Sequence, residues 1–235
     1  MLEAYGTALI KSLRACRLFR GMTEADLSKL TQQAAVERYQ TGDILFRRDD
    51  AAERFFVVLE GRVVLYLDGE GDPSGVARIA GPGESFAEAC ICGLGSYFVT
   101  AEALARTTVV AIRREPLRAL LEQRFDLVLA MLGEMSFRLR GLVRQITDLK
   151  MKTTAQRLAV HLVRLTEAES GPAEIRLPYG KKLLASQLGM QPETLSRAFL
   201  KLQPLGVRCV VSENLLRIRD VAVLREFSED AEENV

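Results

Sequence analysis

Three polar side chains in the last third of the chain have the types and the spacing needed to read base pairs. Glu193, Ser196 and Arg197 follow Pro192 at positions i, i+3 and i+4, which share one face of a helix. Arginine can donate two hydrogen bonds to guanine, glutamate can accept one from cytosine N4, and serine can approach a thymine methyl or bond a base edge. The spacing predicts a base-reading face, although an accidental Glu–Arg pair on a solvated helix would have the same spacing.

The residues around this face are typical of a winged helix-turn-helix unit, whose second helix lies in the DNA major groove. A short helix begins at Lys181, Gly189 makes a tight turn, and Pro192 opens the second helix, where proline presets φ and leaves no N–H unpaired. The remaining elements are a short strand and a β-hairpin, at 174–177, 207–211 and 215–219, with the hairpin turn at 212–214. The residues expected to contact DNA phosphates are Lys181, Lys182, Gln191, Thr194 and Lys201.

A heptad repeat of apolar residues precedes this unit. The spacing alternates between three and four residues from Phe125 to Leu149, which keeps an apolar stripe on one side of a single long helix. A helix packed on the core of its own domain would also be apolar on one side, but alternation this regular favours a dimer seam. The predicted dimer interface consists of Phe125, Val128, Leu132, Met135, Leu139, Leu142, Ile146 and Leu149. The residues expected on solvated faces of the same helix are Arg138, Arg140, Arg144 and Lys150.

The region from about residue 39 to 113 is rich in short β-branched and aromatic runs separated by glycines, which predicts an all-β roll or barrel. The predicted strands are 44–46, 55–59, 63–67, 76–79 and 107–112. Ahead of them, residues 24–36 predict an amphipathic helix capped by Thr23. Another helix, capped by Thr153 or Thr154, is predicted after a hinge at 150–153.

Composition restricts the class of protein. A chain of 235 residues with 48% hydrophobic and 27% charged residues is typical of a globular protein, and a net charge of +1 means that any attraction for nucleic acid is local. The chain start lacks the features of a signal peptide, and no apolar run approaches the length of a membrane span. Cys16, Cys90, Cys92 and Cys209 show no disulfide-framework spacing, so we expect a reduced, cytoplasmic protein with no membrane partner.

An enzyme and a binding module without DNA function are the alternative classes. The candidate catalytic residues of an enzyme would be Glu88, Cys90 and His161, but no nucleophile, base and orienting group occur in one region. The glycines at 69–83 match neither a Walker loop nor a dinucleotide fingerprint. The sequence therefore predicts no enzyme, no catalytic residue and no metal site.

From about Leu18 to Phe227 the order of elements resembles the cyclic-AMP receptor protein / fumarate–nitrate reductase regulator superfamily. The matching motifs are Gly-Glu-Ser-Phe-Ala-Glu at 83–88 and Glu-Thr-Leu-Ser-Arg at 193–197, the latter similar to dissimilatory nitrate respiration regulators. The resemblance implies an α+β fold: a cyclic-nucleotide-binding-like β-roll (jelly roll) over 1–115, a dimerisation helix over 116–150, and a winged helix-turn-helix over 151–235. It also implies a homodimeric activator that binds a TTGA-type palindrome in double-stranded DNA and contacts RNA polymerase.

The departures from that family concern the effector. Family members that bind cyclic AMP hold its phosphate with Gly-Glu and Arg-Ser/Thr pairs, which here read Ala87-Glu88 and Val99-Thr100. Leu142 and Val143 stand where hydroxyl groups would touch adenine. Without the arginine a buried phosphate would be uncompensated, so we expect no cyclic nucleotide.

Thiolates for an iron–sulfur cluster are also too few, because only Cys16 lies near the N-terminus and only Cys90 and Cys92 lie in the roll. The resemblance then favours a nitric oxide, oxygen or redox signal received through haem. The only histidine, His161, is expected to be a half-buried residue of the DNA-binding domain, so haem would need Cys, Met or another axial ligand.

The expected effector pocket contains Phe86, Ala87, Glu88, Ala89, Cys90, Tyr97, Phe98, Val99, Thr100, Leu142, Val143 and Ile146. An effector there is expected to change packing against 142–149 and shift the balance between dimer geometries through the hinge. A thiol switch at Cys90 and Cys92 is the alternative signal, and inert buried cysteines are the alternative to both.

Overall fold

In the computed structural model the described residues are 9–11, 13–67, 75–91, 93, 95–166, 168–210 and 215–229. The predicted hairpin turn at 212–214, Cys92 and the side chain of Ala89 lie outside this description. By its contacts the chain divides into two compact units, Met1–Leu139 and Arg140–Val235, each with a hydrophobic core.

The first unit contains two four-stranded antiparallel sheets, with strand orders β1-β8-β3-β6 and β2-β7-β4-β5. Their strands are β1 (Ala34–Tyr39), β2 (Ile44–Phe46), β3 (Arg54–Glu60), β4 (Val63–Tyr66), β5 (Val76–Ala80), β6 (Ser85–Phe86), β7 (Thr100–Ala103) and β8 (Thr107–Arg113). Strand β3 buries Phe55, Phe56, Val57 and Val58 in the core of this unit, and all four residues of β4 are buried as well. The predicted β-roll and its five predicted strands are confirmed.

The predicted helix at 24–36 is confirmed over 24–32 and is wrong in its last four residues. Helix α1 (Glu24–Gln32) begins after Thr23, whose hydroxyl accepts a hydrogen bond from Asp26 N at 3.2 Å, as predicted for an N-cap. The chain then turns into β1, which pairs with β8 from Ala34 opposite Ile112 onward. This pairing joins residues far apart in the sequence, from Ala34 opposite Ile112 to Tyr39 opposite Thr107, so the local apolar pattern does not indicate it. Strands β6 and β7 were missed for the same reason.

Two helices follow the roll, α2 (Arg114–Gln123) and α3 (Phe125–Met151), separated by Arg124 in a non-helical conformation. Helix α3 confirms the predicted single helix across the heptad repeat. It buries Leu127 and Met131 in the core of the first unit. The division between the compact units falls within α3, at Leu139 and Arg140, inside the predicted segment 116–150.

The second unit is the predicted winged helix-turn-helix. Its elements are α4 (Thr154–Leu165), β9 (Ala173–Arg176), α5 (Lys181–Gln187), α6 (Pro192–Leu202), β10 (Val207–Val210), β11 (Leu215–Ile218) and α7 (Val221–Glu229). The three strands form one antiparallel sheet in the order β10-β11-β9. Thr153 caps α4 in a capping box with Gln156. In the parts of the chain that the structure describes, no helix is both long and apolar enough to span a membrane.

Candidate nucleic-acid interface and sensor core

The turn between α5 and α6 requires glycine. Gly189 has φ of +62°, a left-handed conformation that favours glycine, and a Cβ there would lie 2.9 Å from Leu149 Cδ2. Arg157 Nη1 donates to Leu188 O at 2.8 Å, and Met190 N donates to Ala185 O at 2.9 Å. These bonds fix the direction in which α6 leaves the turn.

Helix α6 begins at Pro192, with Gln191 as the N-cap residue. Its inner face is buried in the core of the second unit through Leu195, Ala198, Phe199 and Leu202. That burial fixes the rotation of the helix about its own axis, so the opposite face must point outward.

The three predicted base-reading residues lie together on that outward face. Glu193, Ser196 and Arg197 are all exposed, and no ion pair within the described residues engages the two charged groups. Ser196 Oγ donates to Pro192 O at 3.0 Å, which uses its one proton and leaves its lone pairs as acceptors. Two charged groups and an acceptor are therefore presented to solvent within about one turn of helix.

The predicted phosphate-contacting residues surround this face. Lys181, Lys182, Gln191 and Lys201 are exposed, and Thr194 is half-buried. The ammonium group of Lys181 lies 5.7 Å from the centroid of the Phe199 ring, a cation–π contact that holds its stem against the helix pair.

Sequence reasoning missed the arginines of the wing sheet. Arg208 and Arg217 lie opposite each other on β10 and β11, and Arg217 Nε is 2.7 Å from Glu174 Oε1 on β9. Together with Arg219 they line a cleft of about 470 Å³. The sequence does indicate an exposed strand face here, because Arg217 and Arg219 alternate with the buried Leu216 and Ile218 at the period of a strand.

His161 is a structural residue of the second unit. Its Nε2 lies 3.2 Å from the hydroxyl of Tyr179, which itself donates to Gln187 Oε1. The tyrosine oxygen is then left to accept from Nε2–H of the neutral ring. Burial, with a smaller contribution from the charge of Arg164, lowers the pKa of His161 to about 4. The half-buried position predicted for His161 is confirmed.

An ionic cluster joins α3 to the roll and corrects the expectation that Arg138 is solvated. Arg138 forms salt bridges with Glu88 and, at 3.2 Å, with Glu134, and Nη2 donates to Ser85 Oγ at 2.8 Å. Its side chain is only 24% exposed. The reason is position: Arg138 lies eleven residues after Leu127 on the helix face that contacts the roll. Desolvation opposes its charge, but Glu88 and Glu134 outweigh it and raise the pKa of Arg138.

Much of the expected effector pocket is packed core in the first unit. Phe86, Cys90, Tyr97 and Val99 are all buried. The Phe86 ring stacks on Phe56 with centroids 5.1 Å apart. The ring of Tyr97 stacks on Phe46 at 3.8 Å.

The other expected pocket residues are placed differently. Ala87 and Glu88 are half-buried, and the buried Thr100 accepts a hydrogen bond from Arg48 N at 3.0 Å. Phe98 is 62% exposed. The remaining three, which belong to the second unit, are exposed on α3: Leu142, Val143 and Ile146.

Two of the cysteines in the first unit are inaccessible. Cys16 and Cys90 are buried in its core, and burial raises the pKa of Cys16. Within the described ranges no group of three or more His, Cys, Asp and Glu residues is placed to hold a metal ion.

The predicted dimer stripe on α3 is largely exposed to solvent. Seven of its eight residues are between 37% and 71% exposed, and Val128 is half-buried. An apolar surface of this length is uncommon on a protein that works as a monomer.

Comparison with known proteins agrees with both units. Residues 36–124 match the family described as cyclic nucleotide-binding domain, and residues 156–227 match the Crp-like helix-turn-helix domain. A solved structure from Ruegeria pomeroyi, provisionally named as a cyclic nucleotide binding protein, is 34% identical, with a TM-score of 0.68 over 95% of this chain and 98% of that one.

Two curated relatives are more distant. The cyclic AMP receptor protein of Thermus thermophilus is 26% identical over 92% of this chain and 98% of its own. The transcriptional activator FnrA of Stutzerimonas stutzeri is 29% identical over 71% of this chain and 69% of its own. The two matched domains and the full-length similarity lead to one conclusion: the chain belongs to the cyclic-AMP receptor protein / fumarate–nitrate reductase regulator family of DNA-binding transcription regulators.

Proposed function

We propose that this protein is a homodimeric, effector-responsive transcription activator of the cytoplasm that binds a TTGA-type palindrome and contacts RNA polymerase. The observation that carries the proposal is the outward face of α6, where Glu193, Ser196 and Arg197 are exposed while the opposite face is locked in the core. Arg197 can donate to the guanine of such a half-site, and Glu193 can accept from N4 of the cytosine paired with that guanine.

The dimer is supported by the apolar stripe on α3. Two helix-turn-helix units bind two half-sites about one turn of DNA apart only when a dimer sets their spacing. Replacing Leu139, which is 62% exposed, by glutamate places a charge in the seam. Sedimentation equilibrium should then show a folded monomer. The control is Leu129→Glu, a change outside the stripe at a leucine that is 53% exposed. A wild-type monomer at micromolar concentration would contradict the proposal.

DNA recognition is tested by gel-shift titration with a TTGA-type palindrome and with variants at each position. Arg197→Ala should lose the preference for guanine, at a cost of about 1–3 kcal/mol per half-site. The control is Lys182→Ala, which should weaken all sequences equally and reduce the salt dependence of binding. Equal weakening of all sequences by Arg197→Ala would make Arg197 a phosphate contact and remove the basis of the proposal.

The effector, in this proposal, is not a cyclic nucleotide. The buried apolar Val99 stands where the family pattern has the phosphate-binding arginine, and Arg138 is already engaged by Glu88 and Glu134. A phosphate buried beside Glu88 would therefore add negative charge without a new partner. Isothermal titration with cyclic AMP should give no binding heat, and micromolar binding would overturn this part.

A nitric oxide or redox signal received through haem remains the candidate taken from the family resemblance. The residues in their present arrangement do not fit haem, because the stacked rings of Phe46, Phe86 and Tyr97 fill the core that it would occupy. A titration with haemin followed by visible absorption tests it: a Soret band that shifts with nitric oxide supports haem, and its absence leaves another effector.

The alternative signal, a thiol switch at Cys90 and Cys92, is disfavoured at Cys90 by its complete burial. Oxidation with a mild peroxide, followed by the gel shift, distinguishes it. Loss of DNA binding that Cys90→Ser and Cys92→Ser prevent would favour the thiol signal over haem.

A further inference from the structure

An exposed leucine lies beside the proposed base-reading residues. Among the described residues from 152 to 229, the large apolar side chains exposed to solvent are Leu200, at 60%, and Val223, at 41%. Single exposed leucines are common on protein surfaces, so exposure alone carries no inference. The position of Leu200 on α6 is what distinguishes it.

Leu200 lies seven residues after Glu193, four after Ser196 and three after Arg197, and these spacings place all four on one helix face. Its neighbours Phe199 and Leu202 are buried on the opposite side. The packing of α6 therefore holds Leu200 outward, one turn beyond Arg197. One turn is about 5.4 Å along the helix axis, which corresponds to about one or two base-pair steps if the helix follows the groove.

We propose that Leu200 reads a thymine by packing its side chain against the C5 methyl group in the major groove, which makes it a further specificity-determining residue. The inference rests on the proposed function, because it requires the outward face of α6 to enter the groove. The thymine methyl is the apolar feature of the major-groove edge, and an aliphatic side chain is its natural partner.

Ser196 is the competing residue for that methyl, and the structure favours Leu200. The serine hydroxyl donates to Pro192 O at 3.0 Å, so its side chain is drawn back toward the helix backbone. Leu200 has the longer side chain, has no polar atom to satisfy, and would transfer apolar surface out of water on both partners.

The test removes one methyl group at a time from the DNA. A site is first obtained by selecting from random duplexes with the wild-type protein, and each thymine in it is then replaced by uracil, which lacks only the C5 methyl. Wild-type affinity should fall about fourfold at one position per half-site, and about sixteenfold when both half-sites are changed. Fluorescence anisotropy provides the dissociation constants.

Leu200→Ala should bind the thymine duplex and the uracil duplex with equal affinity. Leu200→Met, which keeps an apolar side chain of similar reach, should retain the preference for thymine. Val223→Ala is the matched control, since it trims an exposed apolar residue of the same unit and should leave the ratio at its wild-type value. Circular dichroism checks that each variant is folded.

The outcomes separate this inference from the proposed function. If selection produces no specific site, both are overturned. If a site is found and Arg197→Ala loses its guanine preference, but uracil has no effect anywhere in wild type or has the same effect in Leu200→Ala, only the reading by Leu200 is overturned. A uracil effect that Ser196→Ala abolishes and Leu200→Ala retains assigns the methyl contact to Ser196.

Discussion

The outward face of α6 and the interior of the roll hold their functional side chains in different ways. Glu193 and Arg197 are exposed and take their positions from the helix backbone, which the buried Leu195 anchors. Glu88 and Arg138, on separate elements, are held by each other and by Ser85. Substitutions on the α6 face should therefore change recognition with little effect on folding, whereas substitutions in the roll should change stability first.

The largest expected difference is between Phe86→Ala and Arg197→Ala. Phe86 is fully buried and stacks on Phe56 and Phe46, so truncating it should lower the free energy of unfolding by about 3–5 kcal/mol. Arg197→Ala, on an exposed helix face, should stay within about 0.5 kcal/mol of wild type. Urea unfolding followed by circular dichroism measures both, and equal losses would erase the difference between the two regions.

The same contrast explains what could be predicted from the sequence. The α6 face depends on spacings of three and four residues, on Pro192 and on Gly189, all of which are local. The β-roll was recognisable from its β-branched runs and glycines. The heptad repeat likewise predicts α3 within two residues of its observed ends.

What could not be predicted depends on contacts between distant residues. Arg138 reaches Glu88 across fifty positions, and β1 exists because β8 pairs with it. An arginine on a heptad helix is usually solvated, and only the packing of the roll against α3 reveals otherwise. The wing arginines are a different case, because the alternation of Arg217 with the buried Leu216 and Ile218 is a local pattern.

His161 is a half-buried titratable group of the second unit, and it should affect stability although it lies in the same unit as the α6 face. Its folded pKa of about 4 is lower than its ordinary value of 6.5, so the folded state disfavours the charged ring. The free energy of unfolding is therefore unaffected by the titration of His161 above pH 6.5, and it decreases as the pH falls from 6.5 to 4. At about 1.4 kcal/mol per pKa unit, the loss is on the order of 3 kcal/mol.

The measurement compares wild type with His161→Gln, which cannot titrate, by urea unfolding at pH 7 and pH 4. Carboxylates titrate in both proteins, so the difference between them isolates the histidine. On acidification, the free energy of unfolding should decrease more for wild type than for His161→Gln. A difference between the two proteins that is independent of pH would show that His161 is accessible to protons in the folded state.

The ionic cluster around Arg138 should contribute less to the free energy of unfolding than Phe86 or His161 does. Arg138→Met leaves Glu88 and Glu134 without their cation, and because all three side chains are about one-fifth exposed, the cost should lie between that of a surface pair and a buried pair, at about 1–2 kcal/mol. Arg140→Met, an exposed change on the same helix, is the control and should be nearly neutral. Adding Glu88→Gln should recover part of the loss, and strict additivity would show that the pair contributes no coupling.

The smallest effect concerns the backbone that presents Glu88. Ala87 has φ of +67° and ψ of +32°, a left-handed conformation that costs alanine about 1–2 kcal/mol. Glycine would relieve this strain, but part of the gain is offset because glycine also makes the unfolded chain more flexible. Ala87→Gly should therefore raise the free energy of unfolding by about 0.5–1 kcal/mol. Ala119→Gly, at an exposed position of α2, should lower it by about 1 kcal/mol, because helical backbone disfavours glycine. Calorimetry of the two variants should show melting temperatures that move in opposite directions. A decrease in both would mean that Ala87 is not strained, and that the roll presents Glu88 without cost.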